Sequence, residues 1–251
     1  MKKISVFLSI LICLTSIFQI LVSANTEYNW YIKKRGSSAP DFPAVAEDCK
    51  SYSAYFIGSP AEKRLYLTFD AGYENGNVEK ILDVLKVESV PGAFFLLDNI
   101  IIKNTELVMR MEDEGHLVCN HTKNHKNLSS ASDEAIRRDI SSLEEIYREK
   151  CGREMAKYFR FPEGKFSLEA LKCVSDMGYK TIFWSFAYCD WDNGKQPSCD
   201  KAVKNIISNT HPGAVILLHP TSSTNAEILP TLIKMWREMG YSFGTLDELT
   251  G

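Results

Sequence analysis

From Arg64 to the end of the chain, apolar and polar positions alternate in two rhythms. Seven short stretches read as strands: Arg64–Phe69, Ala93–Leu97, His116–Asn120, Lys157–Phe161, Lys180–Ser185, Ala214–Leu218 and Tyr241–Gly244. Between them lie helical patterns. Val78, Ile81, Leu82 and Leu85 recur at the spacing of one helical face. Ile136, Ile140, Leu143 and Tyr147 do the same with the first gap lengthened, and Leu229, Leu232, Ile233 and Trp236 form a third stripe. Gly92, Gly115, Gly152, Gly178 and Gly240 sit between helices and strands, where a left-handed stop is wanted. Strand–helix alternation of this length predicts a parallel sheet with crossover helices. The fold class is therefore α/β. Seven strands in one domain point to a distorted (β/α) barrel of about seven units, and a doubly wound open sheet is the alternative.

The chain before Arg64 reads differently. Lys2 and Lys3 precede an almost unbroken apolar run from Ile4 to Val22, followed by Val22-Ser23-Ala24. This is the pattern of a secretory signal peptide, residues 1–24, cut after Ala24. The alternative is an uncleaved anchor, since 19 apolar residues can just span a bilayer. Residues 25–60 look irregular, with Pro40, Pro43 and Pro60, and read as an arm packed on the domain through Trp30, Tyr31, Tyr52, Tyr55 and Phe56. Residues 61–251 hold the barrel. Taking 24 from the 251 residues leaves 227, enough for one large core.

Charge and cysteine content narrow the partners. The formal net charge is −3, which gives no basic field for nucleic acid. Six cysteines follow the signal segment. Cys119 and Cys173 lie among apolar neighbours and read as buried thiols. Only Cys189 and Cys199, which flank one loop, suggest a disulfide, and spacing alone does not establish it.

In a parallel α/β barrel, reactive groups gather at the carboxyl ends of the strands. Asp70 ends the first predicted strand, His121 and His125 follow the third, Arg160 lies near the end of the fourth, Asp190 and Trp191 follow the fifth, and His219 follows the sixth. Each residue alone has an ordinary structural explanation. Asp70 can be a turn former before Gly72, and Arg160 can snorkel over Phe161. His121 and His125 can be two polar-loop histidines, Asp190 can belong to an acidic loop, and His219 can be a core histidine. Convergence on one barrel face favours chemistry. His121 and His125, four residues apart, can grip one ion from one helical turn. Asp70 can accept a proton, with Arg160 holding it ionised. Asp190 can orient His219 and favour its protonated form.

Five stretches carry a resemblance: LTFDAGYENG at 67–76, EGHLVCNHTKNH at 114–125, FRFPEGKFS at 159–167, FWSFAYCDWD at 183–192 and ILLHPTSSTNAEIL at 216–229. In this order and spacing they resemble the polysaccharide deacetylases of the NodB-homology type, carbohydrate esterase family four. Within that family they look most like the delta-lactam-biosynthetic de-N-acetylases of spore-forming bacteria. The resemblance implies a catalytic base at Asp70 tethered by Arg160, and an acid at His219 tuned by Asp190. It implies metal ligands at His121 and His125, and substrate contacts from Trp191, Leu217 and Tyr73. The implied cofactor is a divalent metal ion, with zinc expected. Ala71 stands where the family carries a third, acidic ligand; Glu74 or Asp70 can substitute for it. Glu163 stands where many members carry a basic residue. The implied reaction is removal of N-acetyl groups from peptidoglycan amino sugars. N-acetylmuramic acid on the route to the muramic delta-lactam of spore cortex is the expected substrate. The alternatives are N-acetylglucosamine of peptidoglycan or chitin, or a non-catalytic glycan binder because of Ala71. The protein is expected to be exported and monomeric, to act on glycan strands, and to meet membrane only through an uncleaved N-terminal signal.

Overall fold

The structure is a computed structural model and describes residues 26–251, so the signal segment 1–24 lies outside the described residues. The arm contributes β1 (Tyr28–Asn29), β2 (Lys33–Arg35), β3 (Ser38–Asp41), α1 (Ala46–Lys50) and β4 (Ala54–Tyr55). Next come β5 (Arg64–Ala71), α2 (Val78–Glu88), β6 (Gly92–Leu96), α3 (Asp98–Lys103), α4 (Thr105–Asp113), β7 (Leu117–Asn120) and α5 (Asp133–Cys151). The rest is β8 (Ala156–Phe159), β9 (Lys165–Phe166), α6 (Leu168–Asp176), β10 (Lys180–Ile182), α7 (Cys199–Ser208), β11 (Val215–Leu218), α8 (Ser223–Glu238), β12 (Ser242–Phe243) and α9 (Leu246–Thr250).

The central sheet is parallel and runs β11-β5-β6-β7-β8-β10-β4. It is a curled, distorted barrel, as expected, and two differences from expectation explain how it closes. First, β4 comes from the supposedly irregular arm and pairs with β10, Thr181 opposite Ala54. Second, β10 stops at Ile182, three residues before the predicted Ser185. Beyond it the chain changes partner: the Ser185 and Phe186 N–H groups donate to the Val215 carbonyl, and the Leu217 N–H donates to the Phe186 carbonyl. Single bridges, Ile57 with Ala214 and Phe186 with Ile216, thus join the two ends of the sheet. The seventh predicted strand, β12, pairs only with Arg64 and Leu65 of β5, ahead of Leu67 where β6 begins.

Side chains alternate across the sheet and split the core. Tyr66, Ala93, Phe95, Cys119, Tyr158, Ile182 and Val215 cluster together as the barrel interior. The outer face of β5, Leu65, Leu67 and Phe69, packs with the buried stripes of α2 and α8. All three predicted stripes are buried, and each such side chain contributes about 1.5–3 kcal/mol. Ser132 caps α5 by accepting the Ala135 N–H, and Gly152 ends it at φ 67°. Gly115, Gly178 and Gly240 also have positive φ, but Gly92 does not: it is the first residue of β6, and Ser89 (φ 50°) takes the left-handed cap of α2.

The arm is more than padding. Trp30 stacks on Phe183 at 4.3 Å, and its indole N–H donates to the Trp184 carbonyl. Tyr31, expected as a packing residue, is exposed. Cys119 and Cys173 are buried thiols as expected, and Cys49 and Cys151 are buried too. The suspected Cys189–Cys199 disulfide is absent: both are free, Cys189 exposed in the loop and Cys199 at the start of α7.

Candidate active site

The strand ends bring the residues together around one mouth. Asp70 is the penultimate residue of β5, on the interior side with Thr68. Arg160 follows β8 and is fully buried. All three nitrogens of its guanidinium are used: Nη1 donates to Asp70 Oδ1 (2.7 Å), Nη2 to Thr68 Oγ1 (2.9 Å) and Nε to the Ile182 carbonyl (2.9 Å). Its flat face covers Phe95 at 4.2 Å. The Thr68 hydroxyl in turn donates a hydrogen bond to the Ile216 carbonyl (2.8 Å). A planar cation with this many fixed partners has one orientation, so it holds Asp70 in place as well as charged. Burial pushes the Asp70 carboxyl up, but the charge and hydrogen bond of Arg160, helped by the nearby His219, outweigh it and hold the carboxyl below its usual range.

His121 Nδ1 lies 2.8 Å from the Arg160 carbonyl, which can only accept, so the proton sits on Nδ1. The lone pair of Nε2 is then free and stands 3.5 Å from Asp70 Oδ2. Burial, first among the causes, pushes the His121 pKa down to about 4 and keeps the ring neutral. His125 is exposed, with its ring 5.1 Å from that of His121. The two do not share a helical turn as expected. They sit on a loop whose backbone is left-handed at Thr122 and His125, and this turn, not helical spacing, brings the rings together. Among the described residues, no three of His, Cys, Asp and Glu form a ready-made ligand cluster. Glu74 does not fill the gap: it lines a crevice with Lys103 and Arg110 and bonds to the Gly76 N–H. Ala71 is buried in the outer core. A neutral imidazole, its second nitrogen anchored to a carbonyl and its lone pair facing a carboxylate, still fits the donor chemistry of a divalent ion such as zinc. His121 and His125 are the residues that would hold it, with water completing the set.

Opposite stands His219, just beyond β11, a quarter exposed. Its Nδ1 meets Asp190 Oδ1 at 2.7 Å, and its backbone N–H donates to Asp190 Oδ2 (2.9 Å). Asn225, on the first turn of α8, donates to the same Oδ2 (2.6 Å) and to the His219 carbonyl (3.1 Å). Tyr188 in turn donates to Asn225 Oδ1. Burial pulls the His219 pKa down, but the hydrogen bond and charge of Asp190 more than offset this and raise it.

The walls are aromatic. Trp191 is 58% exposed and meets the His219 ring edge-on at 6.0 Å. Tyr73 is exposed across the mouth, its hydroxyl accepting from Asn193 Nδ2 (2.7 Å), so the two flanking loops touch. Leu217 is buried beside Thr68 in strand register. Glu163 is exposed on the 162–164 turn, paired with Lys165 (2.7 Å). Sequence reasoning missed Thr68 and Asn225. Thr68 was readable, two residues before Asp70 and so on the same strand face. Asn225 had no such signal, since only the fold aims the start of α8 at Asp190.

A buried carboxyl held below its usual range and an imidazole held above its own, both at the strand ends of a (β/α) barrel, are suited to hydrolytic acid–base chemistry. The polysaccharide deacetylase family model matches residues 57–182, and the chain belongs to that family. It is 37% identical to the peptidoglycan-N-acetylmuramic acid deacetylase PdaA of Bacillus subtilis, over 90% of this chain and 86% of that protein. It is 32% identical to a peptidoglycan-N-acetylglucosamine deacetylase of Bacillus cereus, over 91% of this chain and 81% of that one. The solved structure of Bacillus subtilis PdaA, a family 4 carbohydrate esterase, superposes with a TM-score of 0.85 over 89% of this chain and 96% of that one.

Proposed function

We propose that the protein is a peptidoglycan deacetylase that hydrolyses the N-acetyl group of N-acetylmuramic acid. The observation that carries the reading is the opposed tuning of Asp70 and His219: one carboxyl held low, one imidazole held high, at the same mouth. Between their two pKa values the site contains a base and an acid at once. Asp70 takes the proton from the attacking water, and Arg160 keeps Asp70 ionised and aimed. Protonated His219 gives its proton to the departing amine nitrogen, and Asp190 stabilises the imidazolium before that step. Trp191 and Tyr73 offer faces for sugar rings, and Leu217 offers an apolar wall for the acetyl methyl. A divalent ion held by His121 and His125, zinc in this reading, would polarise the acetyl carbonyl and lower the pKa of bound water.

The preference for muramic acid rests on PdaA of Bacillus subtilis, similar along nearly the whole chain. The amine freed on muramic acid can close onto the lactyl carboxyl, which gives the delta-lactam of spore cortex. The similarity to a glucosamine deacetylase favours the second substrate reading. Activity on a wall polymer, together with the signal-like residues 1–24, places the protein outside the cytoplasmic membrane in this reading. Among the described residues no helix is long and apolar enough to cross a membrane. The test is mass spectrometry of glycan fragments treated with purified protein, with and without added zinc. Loss of acetyl mass on muramic acid residues is expected; loss only on glucosamine residues overturns the muramic reading, and no loss on either overturns the enzyme.

A further inference from the structure

His125 lies on a segment between β7 and α5 without regular structure. Two of its residues, Thr122 (φ 69°) and His125 (φ 60°), are left-handed, at a strain of roughly 1–2 kcal/mol each for a residue with a Cβ. Such a loop keeps one shape only where its surroundings over-determine it. The barrel holds its first half. The Thr122 N–H donates to Asn120 Oδ1 (2.9 Å) and the Lys123 N–H to Asp139 Oδ1 (2.9 Å), while the Lys123 carbonyl accepts from the Asp98 N–H (3.0 Å).

The arm holds the second half. Glu27 Oε2 accepts from Asn127 Nδ2 (2.7 Å) and from Ser129 Oγ (2.5 Å). Asn127 Oδ1 receives the Ser129 N–H (2.9 Å), so one carboxylate oxygen closes a small ring of bonds two to four residues past His125. Glu27 is itself well fixed. The next residue begins β1, which pairs with β9, and the Trp30 N–H donates to the Gly164 carbonyl (2.7 Å). Ser129 and Asn127 are the main reasons why the Glu27 carboxyl lies below its usual range.

We infer that Glu27 is a positioning residue: through Asn127 and Ser129 it sets the loop that presents the His125 imidazole to a divalent cation. The inference rests on the reading of His125 as a ligand. A ligand on a loosened loop must be ordered at the moment of binding, and that ordering weakens affinity.

The test is calorimetric titration with zinc of the folded protein and five variants: Glu27→Ala, Glu27→Gln, Asn127→Ala, His125→Ala and the Glu27→Ala/His125→Ala double. Glu27→Ala is expected to bind zinc about tenfold more weakly, the lower end of what outer-shell partners contribute. Glu27→Gln keeps an accepting oxygen and stays within about threefold of the parent on the same scale. In the His125→Ala background, Glu27→Ala changes nothing further, because both act through one ring. Asn127→Ala, which leaves β1 intact, reproduces the Glu27→Ala loss even if Glu27→Ala folds poorly. Parent-like zinc affinity in folded Glu27→Ala, or an additive loss in the double variant, overturns the inference; a lower melting temperature alone marks Glu27 as merely structural. Unchanged zinc binding in His125→Ala overturns the ligand assignment itself, and this inference with it.

Discussion

At the scale of single residues, the site depends on two titratable groups, Asp70 and His219, tuned in opposite directions. Asp70→Asn keeps the shape and removes the base. Turnover is expected to fall by about a hundredfold or more, with an unchanged circular dichroism spectrum. Arg160→Leu leaves Asp70 buried against nothing of opposite charge except histidines. Stability is expected to fall by about 3–5 kcal/mol in urea denaturation at neutral pH. The Asp70 pKa then rises, so the acid limb of the pH–rate profile moves to higher pH. Asp190→Asn acts on the other limb. It removes what raises the His219 pKa, so the proton is lost at lower pH and the alkaline limb shifts down. A profile of Asp190→Asn with an unmoved alkaline limb would take His219 out of the acid role.

At the scale of elements, the acid half of the site hangs on β11 and the first turn of α8. Ser222 caps α8 by accepting the Asn225 N–H, which leaves the Asn225 side chain free to bind Asp190 and the His219 carbonyl. Asn225→Ala leaves those buried acceptors short of a donor, and a loss of about 1–3 kcal/mol is expected in urea melts, with reduced activity. Gly213 leads into β11 at φ 74°, and a Cβ there would stand 2.6 Å from the Gly58 backbone. Both the strain and the clash oppose any side chain, so Gly213→Ala is expected to lower the melting temperature clearly.

At the scale of the whole molecule, the arm takes part in closing the barrel, because β4 pairs with β10 and the 57–58 segment bonds to the residues leading into β11. Trp30→Ala removes a ring stacked on Phe183 and is expected to cost about 3–5 kcal/mol, lost in a single cooperative transition. The whole fold also responds to pH. Burial lowers the pKa of His116, His121 and His211 from the ordinary histidine value of 6.5. The unfolded chain binds more protons than the native one below that value, so stability falls as the pH drops through it. His219, raised by Asp190, works the other way: it adds stability at low pH that is lost as the pH rises through its folded pKa. Three against one predicts a lower denaturation midpoint at pH 5.5 than at pH 7.5; an equal or higher midpoint would contradict it.

Local pattern determined much of this protein. The three helical stripes, the order of strand and helix, and the placement of Asp70, Arg160, Asp190 and His219 at strand ends were all legible, because period and strand polarity are properties of neighbouring residues. The entry of Ala54–Tyr55 into the sheet as β4, the partner change at Ser185 and the loss of Gly92 as a helix stop were not. Each depends on a contact between residues far apart in the chain: Thr181 with Ala54, Phe186 with Ile216, and Leu67 with Gly92. The same holds for His121 and His125, whose spacing suggests a helical turn. The tertiary structure places them instead on a left-handed loop held by Asn120, Asp139 and Glu27, because those partners stabilise a backbone that local preference alone disfavours.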